Sequence, residues 1–276
     1  MEQISLFGES EEKIVNVAAV PMRSPFRYAG GKTWLVPRIR SWLSKRGGLE
    51  KTLIEPFAGG GIVSLTAVFE KLAGSSLMVE LDEDVAAVWR VILTGDAIRL
   101  SDRIESFDLT PDNAIKVIHS AKKSDRDRAF AAIVKNRVNH GGILAEGAGF
   151  VKSGENGKGI RSRWYPKTLK RRIMAIDQVR DRIQFVEGDA FDVCRANASR
   201  DDAVFFNRYS EVDHQALFDL TSNLAGDFLM TYDDAPEIRE LAEKYGFQMK
   251  SVPMKNTHHA RKRELLIGRE LNWLQK

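Results

Sequence analysis

An apolar run that passes straight into a glycine turn, and from there into helix-forming sequence, leaves few folds open. Leu53-Ile54-Glu55-Pro56-Phe57-Ala58-Gly59-Gly60-Gly61 is such a junction. Glycine lets the backbone take tight conformations and lets a ligand come close to the main chain. Helix-like sequence follows over 62–72. A second apolar run, Ser76 to Leu81, then ends in Met78-Val79-Glu80-Leu81-Asp82, about 20 residues past the glycines. A helical pattern through Val85, Val88, Trp89 and Ile92 comes next. Strand, turn, helix, strand and helix in this order is how a parallel, helix-covered sheet is written.

The first turn of such a sheet is a nucleotide-cofactor position. The glycines do not keep G-x-G-x-x-G spacing, because Val63 and Ser64 stand three residues past Gly60 and Gly61. Taken alone they fit a structural turn equally well. An acid at the end of the second strand adds to the case, since it can accept both ribose hydroxyls of an adenosine. Glu80 and Asp82 both qualify. A third piece is Val186-Glu187-Gly188-Asp189-Ala190, where Asp189 at another strand end is in place to reach an adenine amino group.

Around this junction, residues 1–24 read as a leader without periodicity, and residues 33–46 carry Trp34, Leu35, Ile39, Trp42 and Leu43 at helical spacing. From 95 to 180 charge-rich helical stretches surround a glycine-rich span, 141–159, which predicts an inserted helical subdomain. Strand patterns return at Ile183–Val186, Ala203–Phe206, Phe228–Tyr232, Phe247–Val252 and Glu264–Ile267. Helices are expected at Val212–Leu224 and Pro236–Tyr245, the latter capped by Asp234. The last two strands have no helix between them, which predicts an antiparallel pair. The expected organisation is a leader (1–24), a sheet domain (25–94 and 181–276) and the helical insert (95–180).

Composition narrows the function classes. The 276 residues are 43% hydrophobic and 29% charged, as in an ordinary soluble globular protein. No apolar run approaches the roughly 20 residues of a membrane span, and the start lacks a signal peptide's basic and apolar regions. A cytoplasmic chain without membrane contact is expected. One cysteine, Cys194, excludes a disulfide framework and reads as a helix-side packing residue. His258 and His259 are adjacent and lack a spaced third ligand, so no metal is expected. Lys and Arg number 42 against 38 Asp and Glu, net +4. The cations cluster, with Arg161, Arg163, Lys167, Lys170, Arg171 and Arg172 in one stretch and Arg261, Lys262 and Arg263 in another. Each cluster suits phosphate contacts or a solvated face. Gly31-Lys32-Thr33 matches the end of a P-loop, but Phe26 stands where its first glycine must be and no apolar strand precedes it. An NTPase is excluded on that ground.

Several of these segments together resemble one family, the D12 class of DNA adenine-N6 methyltransferases, the group of the Dam methylases. They are Pro25-Phe26-Arg27-Tyr28-Ala29-Gly30-Gly31-Lys32, then Glu55 to Gly61, then Glu80, then Asn136-Arg137-Val138-Asn139-His140-Gly141-Gly142 and Tyr232 to Arg239. The resemblance covers about residues 25 to 270. It implies an α/β, class I S-adenosylmethionine-dependent methyltransferase-like sheet with an inserted helical subdomain. It implies S-adenosyl-L-methionine as cofactor, contacted by Tyr28 and Lys32, lined by Phe57 and Gly59, held at the ribose by Glu80, with Asp189 a further contact. It implies a double-stranded DNA partner, met by Arg137, Asn139, Arg161, Arg163, Lys167 and Lys170 of the insert, and a monomeric enzyme.

One departure bears on activity. The family carries Asp-Pro-Pro-Tyr or Asn-Pro-Pro-Tyr directly after the strand placed at Ala203–Phe206; here the chain continues Asn207-Arg208-Tyr209-Ser210. The simplest reading is that the motif and its loop are missing and that Asn207 belongs to the far side of the gap. A poorer one takes Asn207 and Tyr209 as a degenerate motif, with both prolines gone. Adenine N6 is a weak nucleophile, and such enzymes flip the base, hold its amino group and align it, so catalysis is largely positioning. Loss of that motif is therefore expected to impair transfer. The alternative to an enzyme is a catalytically dead remnant that binds S-adenosylmethionine or DNA.

Overall fold

The structure, a computed structural model, describes residues 20–27, 32–145, 147–154, 157–208, 212–255 and 261–274. A 3-10 turn, Lys32–Leu35, leads into α1 (Val36–Arg46), β1 (Gly48–Glu55), α2 (Ile62–Phe69) and β2 (Ala73–Glu80). Helices α3 (Glu83–Leu93), α4 (Ala97–Ser106), α5 (Pro111–His119), α6 (Asp125–Val138) and α7 (Pro166–Asp177) follow before β3 (Ile183–Glu187). The chain ends α8 (Ala190–Ala196), β4 (Ala203–Arg208), α9 (His214–Ser222), β5 (Asp227–Asp233), α10 (Pro236–Lys244), β6 (Gln248–Lys255) and β7 (Arg261–Gly268).

The strands make one seven-stranded sheet in the order β3-β2-β1-β4-β5-β7-β6. Pairing is parallel from β3 to β5, and β7 runs antiparallel to both β5 and β6. The chain walks outward from β1 through β2 to β3, then returns to place β4 on the other side of β1. That reversal is the topological switch point of a doubly wound sheet. With the antiparallel hairpin at the far edge, this is the class I methyltransferase-like arrangement expected above, and the last two strands pair antiparallel as predicted.

Side-chain alternation along each strand sorts the core into faces. Leu53, Val204, Phe206, Leu229 and Leu266 pack with α1 and α2 on one face. Ile54, Phe205, Met230, Leu265 and Ile267 pack on the other with residues of α8, α9 and α10. Helices α3 to α7 form a further apolar cluster that takes in Leu65 of α2, Met78 of β2 and Ile183 of β3. The stretch 95–180 thus shares its core with α3 and the sheet. Within it Phe107 meets Phe130 and Trp164 edge-on at 5.1 and 5.9 Å.

Three local expectations are corrected. Strand β4 does not stop at Phe206; it continues through Asn207 and Arg208, which pair with Met230 and Thr231 of β5. Asp234 does not cap α10: the N-cap is Ala235, and the Asp234 carboxylate accepts from Arg239 and Ser251 instead. Asp82 is a helix cap, accepting from the Asp84 and Val85 amides at 2.9 and 3.0 Å. This leaves Glu80 as the acid beside the glycine turn. The leader lies outside the described residues through position 19, while Val20, Ser24 and Phe26 are buried.

Gly61 shows why the turn needs its glycines. It is the N-cap of α2 with φ +62°, and a Cβ there would lie 2.8 Å from Met78 Cε and 3.0 Å from Trp89 Cζ2. Gly61→Ala is expected to destabilise the chain by about 1–3 kcal/mol, combining left-handed strain with overpacking. A urea or thermal unfolding comparison checks this, and an unchanged midpoint would contradict it.

Candidate cofactor cleft and its surroundings

The carboxyl ends of β1 and β2 build the site. Pro56 ends β1, and the turn beyond it brings Gly59 back over the end of β2. There the Glu80 carboxylate accepts from the Gly59 amide at 2.9 Å and from the Leu81 and Asp82 amides at 2.9 Å each. Trp89 of α3 grips the turn from its other side, its indole N–H donating to the Gly59 carbonyl at 2.8 Å. Ala58 donates to the Val79 carbonyl at 2.9 Å, which stitches the turn to β2. Burial raises the Glu80 pKa above the ordinary glutamate value, against the opposing effect of its three backbone hydrogen bonds. Two of those bonds fall on one oxygen and one on the other, so the carboxylate retains accepting capacity.

Beside the turn lies a cleft of about 650 Å³, counting the space open at its mouth. It is lined by Gly59, Gly60 and Gly61, by Glu55 and Phe57, by Phe206 of β4, and by Ser24, Phe26 and Lys32 from the segment before α1. β1 and β4 both contribute, so the cleft opens at the switch point. Glu55 is buried and accepts from the Ser64 amide at 2.8 Å, placing a negative charge in the first turn of α2.

Of the expected cofactor contacts, Lys32, Phe57 and Gly59 line the cleft, and Glu80 holds its glycine turn. Tyr28 lies outside the described residues, as do Tyr209, His258 and His259. Asp189 is the N-cap of α8, accepting from the Phe191 and Asp192 amides at 2.8 and 3.2 Å, which ties down one of its oxygens. Lys32 forms a buried ion pair with Glu264 of β7. Sequence reasoning missed Glu264. Its signal was an acid in an apolar strand, on the same face as Leu266, where alternation demands a core residue. Trp89 was read only as helix patterning.

The expected DNA contacts separate. Arg137 and Asn139 are 3% and 2% exposed, so as they stand neither reaches a partner outside the chain. Both lie where α6 ends against the core. Arg137 donates to the Pro25 carbonyl and Asn139 to the Ile143 carbonyl. Lys170 is tied to Asp102 and Glu105 at 2.7 Å each, and these carboxylates push its pKa up to about 12. Arg161 is exposed but bonds Leu109 O and Asp108. Lys167 is exposed and Arg163 half-buried. Cys194 is buried as expected, and burial pushes its thiol up to about 12, away from thiolate chemistry.

Asn207 is 1% exposed, and alternation puts it on the face of Phe205 and Met230, near the end of β4. Among the described residues neither its Oδ1 nor its Nδ2 has a hydrogen-bond partner. Unmet polar atoms at such depth cost about 1–3 kcal/mol each.

With the geometry in hand, comparison with known proteins adds the following. Residues 28–123 match the D12 class N6 adenine-specific DNA methyltransferase family. That is the family whose motifs the sequence resembles. A DNA N-6-adenine-methyltransferase of Escherichia phage P1 is 26% identical over 271 residues, covering 89% of this chain and 34% of that protein. The chain therefore spans about a third of the length of that relative. Solved structures of related outline include a precorrin-6y C5,15-methyltransferase from Geobacter metallireducens. It has a TM-score of 0.41 and 12% identity, with 88% of this chain and 91% of that one covered. Another is TrmN from Thermus thermophilus, with a TM-score of 0.38 and 12% identity, and coverages of 85% and 48%. Among the described residues no helix is long and apolar enough to cross a membrane.

The slot at Asn207 gives a direct test. Asn207→Leu is expected to raise stability by about 1–3 kcal/mol, because an apolar side chain of similar size removes two orphaned polar atoms. Equilibrium urea unfolding checks this; a loss of stability would mean that the amide has partners in solution.

Proposed function

We propose that this chain is the core of an S-adenosylmethionine-dependent DNA adenine-N6 methyltransferase in which the cofactor half of the site is intact and methyl transfer is severely impaired. The observation that carries the cofactor reading is the Glu80–Gly59 hydrogen bond at the head of the cleft, which sets an acid and a glycine turn together at the switch point. The family match supports the reaction class.

The residues present fit the cofactor. Glu80 keeps accepting capacity for ribose hydroxyls, the glycines leave room for close approach, and Phe57 and Phe26 supply apolar lining. Lys32, in the cleft lining, is the cation suited to an amino-acid carboxylate, with Glu264 holding it in place. When bound, S-adenosylmethionine supplies the sulfonium methyl that the base accepts. The task left to the chain is to hold the adenine amino group in line, and here the means are reduced. After Phe206 there is no Asp-Pro-Pro-Tyr, and Asn207 is turned into the face packed by α9. The reading in which Asn207 is a join across a missing loop, rather than a degenerate motif, agrees with its orphaned amide. For DNA, exposed Lys167 and Arg161 and half-buried Arg163 are the phosphate-facing candidates that remain.

Calorimetry is expected to show saturable S-adenosylmethionine binding, weakened about tenfold or more by Glu80→Ala, which removes a charge-assisted acceptor. Ribose hydroxyls favour the ionised carboxylate, so affinity should be full above the Glu80 pKa and fall as pH drops through it. Because burial raises that pKa, the fall begins at a higher pH than for an ordinary glutamate. Glu80→Gln should flatten this step. No binding by the folded chain would sink the cofactor reading. Labelled-methyl transfer to adenine-containing DNA tests the rest: robust N6-methyladenine formation would overturn the claim of impaired transfer.

A further inference from the structure

Part of the cleft lining comes from a short irregular segment, Ser24 to Arg27, which precedes Lys32 in the chain. Irregular segments need side-chain partners for their peptide groups when buried. Ser24 and Phe26 are 6% and 2% exposed and line the cleft, and Phe26 packs on Trp89 at 6.1 Å between ring centres. Almost all of the described polar support for this wall comes from helices α6 and α7.

Asn136, fully buried on α6, brackets a single residue of it. Its Oδ1 accepts from the Arg27 amide at 2.8 Å and its Nδ2 donates to the Arg27 carbonyl at 2.8 Å, as a neighbouring strand would. The same Nδ2 donates to the Gly142 carbonyl at 2.7 Å. Gly142, at φ +77°, sits so close that a Cβ would lie 2.4 Å from the Arg27 carbonyl oxygen. One position along, Arg137 donates to the Pro25 carbonyl, and Arg172 of α7 reaches the Ser24 carbonyl at 3.3 Å. Among the described residues no carboxylate pairs with Arg137. Burial, together with the Arg172 and Arg27 charges, pushes its pKa down to about 9. A buried cation whose donor goes to a main-chain carbonyl and not to a carboxylate carries a desolvation cost that no opposite charge repays.

Resting on the cofactor reading above, we propose that Asn136 and Arg137 are positioning residues for the cofactor cleft: they lock the Ser24–Arg27 wall to α6 and so act with Glu264 to fix where Lys32 stands for the amino-acid end of the ligand. Their inward direction replaces the DNA contact expected for Arg137. The lock also makes the glycine-rich span after α6 a direct neighbour of the cleft wall, so occupancy of the cleft is felt at Gly142.

The test compares Asn136→Asp and Arg137→Met with the unaltered chain by calorimetry, using S-adenosylmethionine and 5′-methylthioadenosine, which lacks the amino-acid carboxylate and ammonium. Asn136→Asp keeps the acceptor for the Arg27 amide but loses the donor to the two carbonyls. The expected result is S-adenosylmethionine affinity about tenfold weaker, with 5′-methylthioadenosine affinity changed less than about twofold, and faster hydrogen exchange at the Arg27 amide. Equal losses for both ligands, as general destabilisation would give, or no loss for either, overturn the assignment. Should a variant fail to fold, the unaltered chain answers: S-adenosylmethionine is expected to slow exchange at the Gly142 and Ile143 amides, and unchanged exchange at saturation overturns the proposal. Absence of any binding by the folded unaltered chain overturns the cofactor reading and this assignment with it, whereas binding that Asn136→Asp leaves intact overturns this assignment alone.

Discussion

The hydrogen bonds between Glu80, Gly59 and Trp89 are the constraint around which the site is arranged. A glycine turn at a strand end has no side chains to hold it, so its shape must be set by its own peptide groups. Here Glu80 takes the Gly59 N–H from the β2 side and Trp89 donates to the Gly59 carbonyl from α3. One peptide unit is thus held from two directions. The same arrangement leaves a half-buried carboxylate with spare lone pairs beside the glycine turn of the cleft, where partial burial raises its proton affinity.

The Ser24–Arg27 part of the lining depends on a different solution to the same problem. Residues 24–27 belong to no helix or strand, yet they are largely buried, and Asn136 supplies the pair of bonds a neighbouring strand would otherwise give. Arg137 and Arg172 complete the support. The helical insert is therefore not an appendage to the sheet domain. It shares an apolar core with α3 and provides part of the cleft's frame.

The end of β4 shows how strand pairing and side-chain chemistry can part. Strand pairing continues through Asn207 and Arg208 because backbone hydrogen bonding is indifferent to side-chain identity. The Asn207 side chain then lies inside the fold with no hydrogen-bond partner among the described residues. Burial and pairing of the strand therefore do not depend on whether its polar side chains are satisfied.

Local pattern in the sequence was enough for the parallel sheet, the glycine turn, the acid at the end of β2 and the closing antiparallel pair. Each is written in residues near one another: apolar runs, glycines, and an acid at a fixed remove. Long-range pairing was not legible, because it depends on which faces meet. Asp82 and Glu80 looked equivalent until the start of α3 claimed Asp82 as its cap. Arg137, read as a cation for DNA, turns inward because α6 presents that position to the Pro25 carbonyl. Glu264, more than 200 residues from Lys32 in the chain, becomes its partner only when β7 inserts beside β5. Sequence determines what each segment can become; which charges are buried, and against what, is decided by the packing of segments far apart along the chain.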